Sequence, residues 1–370
     1  MAVLHLTGTI ALGDGEEVGQ AWVVGDRLTL QRPAGIPDAT AAGFFFPGLA
    51  DAHCHIGLGP GGAVDRAESL QQAIADRSAG VLAIRDAGSP ADTRWLDEDT
   101  RMPRIIRAGR HLALPKRYLR HYARELASST QLPQAMADEA SRADGWVKLV
   151  GDWIDRSMGA RADLRPLWGG DDLVAGVDAA HALGARVTVH TFAAATIADL
   201  LAASVDCIEH GTGLREADLP VLTQRGIAVT PTMLQIAQFD RIAAQGELKY
   251  PVFSAHMRAM HARRYDHVRM LYDAGVALLV GTDAGGTIGH GRIADECSEL
   301  VRAGIPAQQV VAMASWRTRA FIGAPAVAES ARADLVGYDR DPRRDIGVLR
   351  SPKYVIAAGT VVGPGPARGA

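Results

Sequence analysis

Cysteine is scarce in this chain. The 370 residues include three, Cys54, Cys207 and Cys297, odd in number and far apart, which argues against a disulfide framework and leaves reduced thiols as the expectation. Charge of one sign is missing too: 39 lysines and arginines face 42 aspartates and glutamates, for a net charge of −3. The basic residues are scattered, so the sequence lacks the electrostatic footprint of a nucleic-acid or membrane-surface binder. No uninterrupted apolar run approaches the roughly 18 residues that a membrane-spanning helix needs. The opening stretch MAVLHLTGTIALGDGEE has no basic region leading into an apolar core, so no secretory leader is expected and a cytoplasmic location is. What remains is a chain long enough to bury a large core, suited by its charge to a small neutral or polar substrate. Neither nucleic acid nor membrane is an expected partner, and a homo-oligomer stays open.

What is present is organised in two textures. Residues 1–47 carry short β-prone pieces, VLHLTGTIAL and QAWVVGDRLTLQ, separated by Gly, Asp and Pro turn signals. From about 48 the pattern becomes short apolar runs (GVLAIRDAG, RIIRAGR, GWVKLVG, ARVTVHTF, VDCIEHG, IAVTPTM, VALLVGTDAGG) alternating with amphipathic segments such as DDLVAGVDAAHALG. Repeated strand-then-helix units predict a parallel sheet covered by helices, and this number of strands predicts a closed (β/α)8 TIM barrel over 48–330. An open doubly wound sheet is the runner-up; no GxGxxG follows the first strand to support it. Near 330 short strands without helices return, in ADLVGYD, YVIAAG and TVVG. Residues 1–47 and 331–370 are therefore expected to form one small β-domain, and the tail GPGPARGA to fray.

Barrel enzymes carry their chemistry at the C-terminal ends of the strands, and there this sequence places ligand-type side chains. FFFPGLADAHCH ends in His53 and His55, WVKLV carries Lys148, VTVH ends in His190, DCIEHG in His210 and LLVGTDAGG in Asp283. A period of two along a strand sends His53 and His55 to one face, with Asp51 below them, and Cys54 to the other. A single histidine ending a strand is more often a packed rim residue than a ligand, and an aspartate in a Gly-rich turn is often a cap. Four histidines, an aspartate and a lysine at the ends of separate strands would be a costly set of polar groups in a core that needed only packing. They point to a metal site. An ordinary ammonium cannot ligate a cation at neutral pH, but a Lys148 that has reacted with carbon dioxide is an anionic carbamate able to bridge two ions.

On these pieces the chain resembles the amidohydrolase superfamily, within it the imidazolonepropionase-related and prolidase-like group. FPGLADAHCH, AGVLAIRDAG, DGWVKLVG, AAHALGARVTVHTF, VDCIEHGTGL, RGIAVTPTM, DAGVALLVGTDAGG and ARADLVGYDRDP run in the family's order from about 46 to 345. The resemblance implies a distorted barrel flanked by a small β-sandwich built from both termini. It further implies two divalent ions, usually zinc: His53, His55 and Asp283 hold one, His190 and His210 the other, and carboxylated Lys148 bridges them. Asp283 would serve as the proton carrier in hydrolysis of an amide, peptide or lactam bond, as in a prolidase-like dipeptidase or an N-acyl amino acid hydrolase.

Departures from the family pattern matter as well. Relatives commonly carry a Gly-Gly-His segment after the third strand; here RHLALPKRYLRHYAREL offers His121 for that substrate-approaching role, with Tyr118 and His111 as rivals. His290, in the loop after Asp283, is a further substrate-binding candidate, and Arg85, Arg117 and Arg120 are candidates for a substrate carboxylate. A tyrosine that relatives often carry just after EHG is replaced by Gly213. His256, His261 and His267 read as surface or packing residues. A mononuclear deaminase would place a proton-shuttling Glu three residues after His190, where this chain has Ala193. Imidazolonepropionase-type ring opening and a metal-free scaffold are the remaining alternatives.

Overall fold

The computed structural model describes residues 2–363; the Gly/Pro-rich tail beyond Gly363 lies outside the described residues. Apolar and polar residues alternate in the first strand, β1 (Val3–Gly13), so that Leu4, Leu6 and Ile10 turn into a core. It pairs antiparallel with β2 (Glu16–Val24), which pairs with β3 (Arg27–Thr29), and parallel with β4 (Ala39–Pro47).

The barrel follows at once. Its strands β5 (Leu49–Cys54), β6 (Val81–Asp86), β7 (Arg104–Arg107), β8 (Trp146–Val150), β9 (Arg186–Thr191), β10 (Cys207–His210) and β11 (Ala228–Thr230) are joined by helical crossovers and pair in parallel. Lys148 N donating to Ala108 O links β7 to β8. The eighth stave, residues 276–284, closes the ring less regularly: Leu279 N bonds Val229 O on one side, and Ala52 N bonds Val280 O on the other. This is a distorted barrel. Both faces of the strands are buried, as a parallel sheet requires. On β8, Val147 and Leu149 face helices through Leu132, Met136, Leu173 and Val177, whereas Trp146 and Lys148 point inward.

The barrel interior is layered. At its base small residues, Ala50, Ala52, Ala83 and Ala228, leave room for the Trp146 ring, over which the Arg85 guanidinium stacks at 4.5 Å. Above lies a fully buried polar layer of Arg85, Lys148, Thr188, Glu209 and Thr230. After the barrel the chain returns to the first sheet with β12 (Leu335–Tyr338), β13 (Tyr354–Ala357) and β14 (Thr360–Val361), giving seven strands in the order β14-β13-β12-β4-β1-β2-β3. Both chain ends thus build one sheet with its own apolar cluster, Leu6, Ile10, Leu28, Phe45 and Leu335 among its members.

Candidate metal centre

His53 and His55 leave β5 on the same side, and their Nε2 atoms each stand 3.1 Å from a single oxygen, Oδ1 of Asp283. His55 Nδ1 is fixed by Gly88 O at 2.7 Å. On the far side His190 Nδ1 and His210 Nε2 are 2.9 Å apart, and His210 Nδ1 bonds Thr232 Oγ1 at 2.6 Å. Lys148 Nζ donates to Glu209, whose other oxygen accepts from Thr188 Oγ1 at 2.7 Å. His53, Glu209 and His210 form one group of mutually close donor atoms, and His53, His55 and Asp283 another. His53 Nδ1 and His190 Nε2 are buried with no hydrogen-bond partner among the described residues. Such atoms are costly unless something coordinates them.

The backbone is bent to achieve this. His210, Thr232 and Asp283 sit at φ of 63°, 47° and 58°, a left-handed conformation that costs a non-glycine residue about 1–3 kcal/mol and clusters at functional sites. Because β10 turns at His210, both Glu209 and His210 reach the barrel interior. Close approach demands glycine nearby: a Cβ on Gly281 would lie 2.5 Å from Thr230 Cγ2 and 2.8 Å from His53 Cβ.

Electrostatics set the protonation states. Burial alone would raise the Asp283 carboxyl, but the charge and hydrogen bond of His53, with the hydrogen bond of His55, hold it well below the usual carboxylate range. Glu209 is likewise held low against burial by His53, Lys148 and Arg85. Burial pushes His53 and His190 down, and His210 down to about 3. Burial thus favours the neutral form of these rings, whose lone pair a cation can take.

The profile of the Amidohydrolase family matches residues 44–362. The chain belongs to the amidohydrolase family. Membership makes it a hydrolase of carbon–nitrogen bonds. An uncharacterised protein of Mycobacterium tuberculosis is 48% identical over 362 residues, 98% of this amidohydrolase and 96% of that protein; one of Mycobacterium bovis matches to the same extent. Among solved structures, a Xaa-Pro dipeptidase with bound methionine superposes with TM-score 0.82 at 20% identity, over 97% of this chain and 99% of that one. A prolidase complexed with N-methylphosphonate-L-proline gives 0.77 at 22%, over 98% and 99%. Aspergillus niger ochratoxinase gives 0.78 at 19%, over 98% and 96%. At these identities the structures establish the fold.

Other sequence candidates are placed differently. Tyr118 is half-buried over the centre, its ring 5.6 Å from His190 and 4.9 Å from Trp153; burial and the charges of Asp283 and Glu209 push its phenol well up. His121 is exposed, at φ 67°, against Gly62. His111 is fully buried instead, its ring 5.1 Å from that of His55, with neither nitrogen partnered. His290 turns to Asp76, 2.8 Å away. Arg85 is committed below the centre to Ala52 O and Cys207 Sγ, Arg120 is exposed, and Arg117 donates to Trp153 O while its Nε is buried and unpartnered. A Cβ on Gly213 would lie 2.5 Å from the Ala193 and Ala194 backbone, so this amidohydrolase admits no side chain there.

Sequence reasoning missed a ring of buried carboxylates beneath the histidines. Asp51 was placed, but not its partners: it accepts from His53 N, Thr282 N and Thr282 Oγ1, locking β5 to the Asp283 turn. Asp86 accepts from Gly88 N, whose carbonyl orients His55. Asp152 accepts from Phe192 N, Ala193 N and Thr196 Oγ1, just past His190. Glu296 accepts from Met233 N and Leu234 N, next to the Thr232 that holds His210. Glu209 had a signal, an acid preceding a strand-end histidine. Glu296 had none, because it reaches in from a distant helix.

Proposed function

We propose that this chain hydrolyses an amide, peptide or lactam bond of a small substrate at a centre of two divalent ions, zinc by the chemistry of the donors. His53, His55 and Asp283 would hold one ion, His190 and His210 the other, and a Lys148 carboxylated on Nζ would join them. The observation that carries this reading is the convergence of His53 and His55 on one Asp283 oxygen, together with His190 Nε2, buried without a hydrogen-bond partner among the described residues. Neutral imidazoles with carboxylate-type oxygens are zinc's donor set. Carboxylation leaves one hydrogen on Nζ, which can go on donating to Glu209. When bound, such ions polarise a carbonyl and lower the pKa of an attacking water.

The chain's own residues supply the rest. Asp283 stays ionised, so its carboxylate can take a proton from the attacking water and deliver it to the leaving nitrogen. Tyr118, Trp153 and Phe192 wall the approach with aromatic faces and exclude water. Trp153 Nε1 and Arg117 Nε are buried donors without partners, suited to a substrate carbonyl or carboxylate. An N-acyl amino acid or dipeptide fits these donors, and the prolidase-like neighbours support that class. Tyr118 and His111 are the side chains we assign to substrate contact. Ala193 carries no proton-shuttling group, which favours hydrolysis over deamination.

A panel of dipeptides, N-acyl amino acids and lactams, presented to zinc- or manganese-reconstituted protein, tests the reading. Turnover of one of these classes, lost in Asp283→Asn, is the expected result. Failure to retain any divalent ion after reconstitution would remove the proposal.

A further inference from the structure

At the opposite end of the barrel from this centre, a cavity of about 620 Å³ opens against the strand starts, a size ordinary for a small-molecule site. Arg104, Trp146 and Arg186, the first residues of β7, β8 and β9, all line it. Leu96, Met102, Pro103 and Ile322 give it an apolar wall. Its carboxylates are already engaged. Asp97 accepts from Arg107 through both oxygens, Asp99 from Arg101 in the same way, and Asp144 from Arg94 through one oxygen and from Arg107 through the other. Arg332, also on the lining, donates to Asp334 and Thr100 O. Two guanidiniums are left over. Arg104 is exposed and has no ion pair or side-chain hydrogen bond among the described residues. Arg186 is half-buried, stacks over the Trp146 ring at 4.1 Å and donates to Phe321 O; Asp206, the acid whose charge it feels, is bonded instead to His181 Nε2 and Val187 N. Packing at the barrel base accounts for the stack on Trp146. It does not account for the open space beside it, nor for two cations left without a counter-charge among acids that are all satisfied.

We propose that this basal cavity binds a small organic anion, with its carboxylate or phosphate on Arg104 and Arg186 and its apolar body against Leu96, Met102 and Ile322. The planar guanidinium fork matches the oxygens of either head group. A ligand here ties together the starts of β7, β8 and β9, and β8 and β9 bear Lys148 and His190. The inference does not rest on the proposed hydrolysis.

Titration calorimetry of the full chain with phenyl phosphate, benzoate, inorganic phosphate and benzamide tests the site. Phenyl phosphate or benzoate should bind wild type, and the tighter of the two identifies the head group. Inorganic phosphate, which lacks the apolar body, should bind more weakly, and neutral benzamide should not bind at the same concentration. Arg104→Gln and Arg186→Gln should each weaken binding by roughly tenfold or more, the loss expected for a hydrogen bond to a charged group. Arg186 also holds Phe321 O, so Arg104→Gln, at an exposed side chain, covers a failure of the Arg186 variant to fold. An anion bound at the metal centre would be untouched by either substitution. No binding of either aromatic anion, benzamide binding as tightly as they do, or an affinity unchanged in Arg104→Gln would overturn the site. A chain that binds the anion through these arginines but hydrolyses no amide would support this site and count against the hydrolytic reading alone.

Discussion

Asp283 concentrates the chemistry in one carboxylate. Its Oδ1 faces two imidazole nitrogens at 3.1 Å, and an asparagine at this position keeps the shape while removing the proton acceptor. Asp283→Asn should lower kcat by about 10²–10⁴-fold, the range of a lost general base, with metal content measured on the same sample. A loss below tenfold would give the proton to another residue. Gly213 makes a structural prediction: Gly213→Ala forces a Cβ against the backbone at 193–194 and should destabilise the fold by about 1–3 kcal/mol, as overpacking does. An unchanged denaturation midpoint would mean that this backbone yields freely. The residues at strand ends were legible because a barrel puts chemistry there and strand alternation assigns faces; in HCH it separates His53 and His55 from Cys54. His121 and His290 were harder, because a loop's direction has no period to read.

Among the elements, the helix Ala194–Ala202 shows how a ligand strand is finished. Its N-cap, Ala193, has no capping side chain; Asp152, forty residues earlier in the chain, accepts from Phe192 N, Ala193 N and Thr196 Oγ1. Asp152→Ala orphans these buried donors at about 1–3 kcal/mol each. The expected outcome is a lower chemical-denaturation midpoint and loosened amide exchange at 191–197, the segment after His190. Exchange unchanged there would show that packing alone holds the helix start. Alternating strand and helix patterns made the barrel readable in the sequence, but the eighth stave, 276–284, forms no regular strand. Its pairing is set by Asp51 and by the turn at Asp283 rather than by periodicity. The carboxylates beneath the histidines were equally hidden, since each bonds backbone amides that only the fold brings near.

Across the whole molecule, buried acids give stability a pH dependence. Burial pushes Glu296 up from 4.5 to about 8, against the backbone hydrogen bonds of Leu234 and Met233. A carboxyl whose folded pKa is raised binds its proton more tightly when folded, so its contribution is fully present below about 4.5 and is lost as pH rises through about 8. Unfolding free energy should therefore fall across that window in wild type, and Glu296→Gln should flatten the slope; an equal slope in both would assign the dependence elsewhere. Among the described residues no helix is long and apolar enough to cross a membrane. The central claim is that His53, His55, Lys148, His190, His210 and Asp283 bind two ions. Metal analysis of the chain after zinc reconstitution should give two equivalents per chain, with at least one lost in His55→Ala. No retained zinc in the wild type, or two equivalents that survive His55→Ala, would contradict the account.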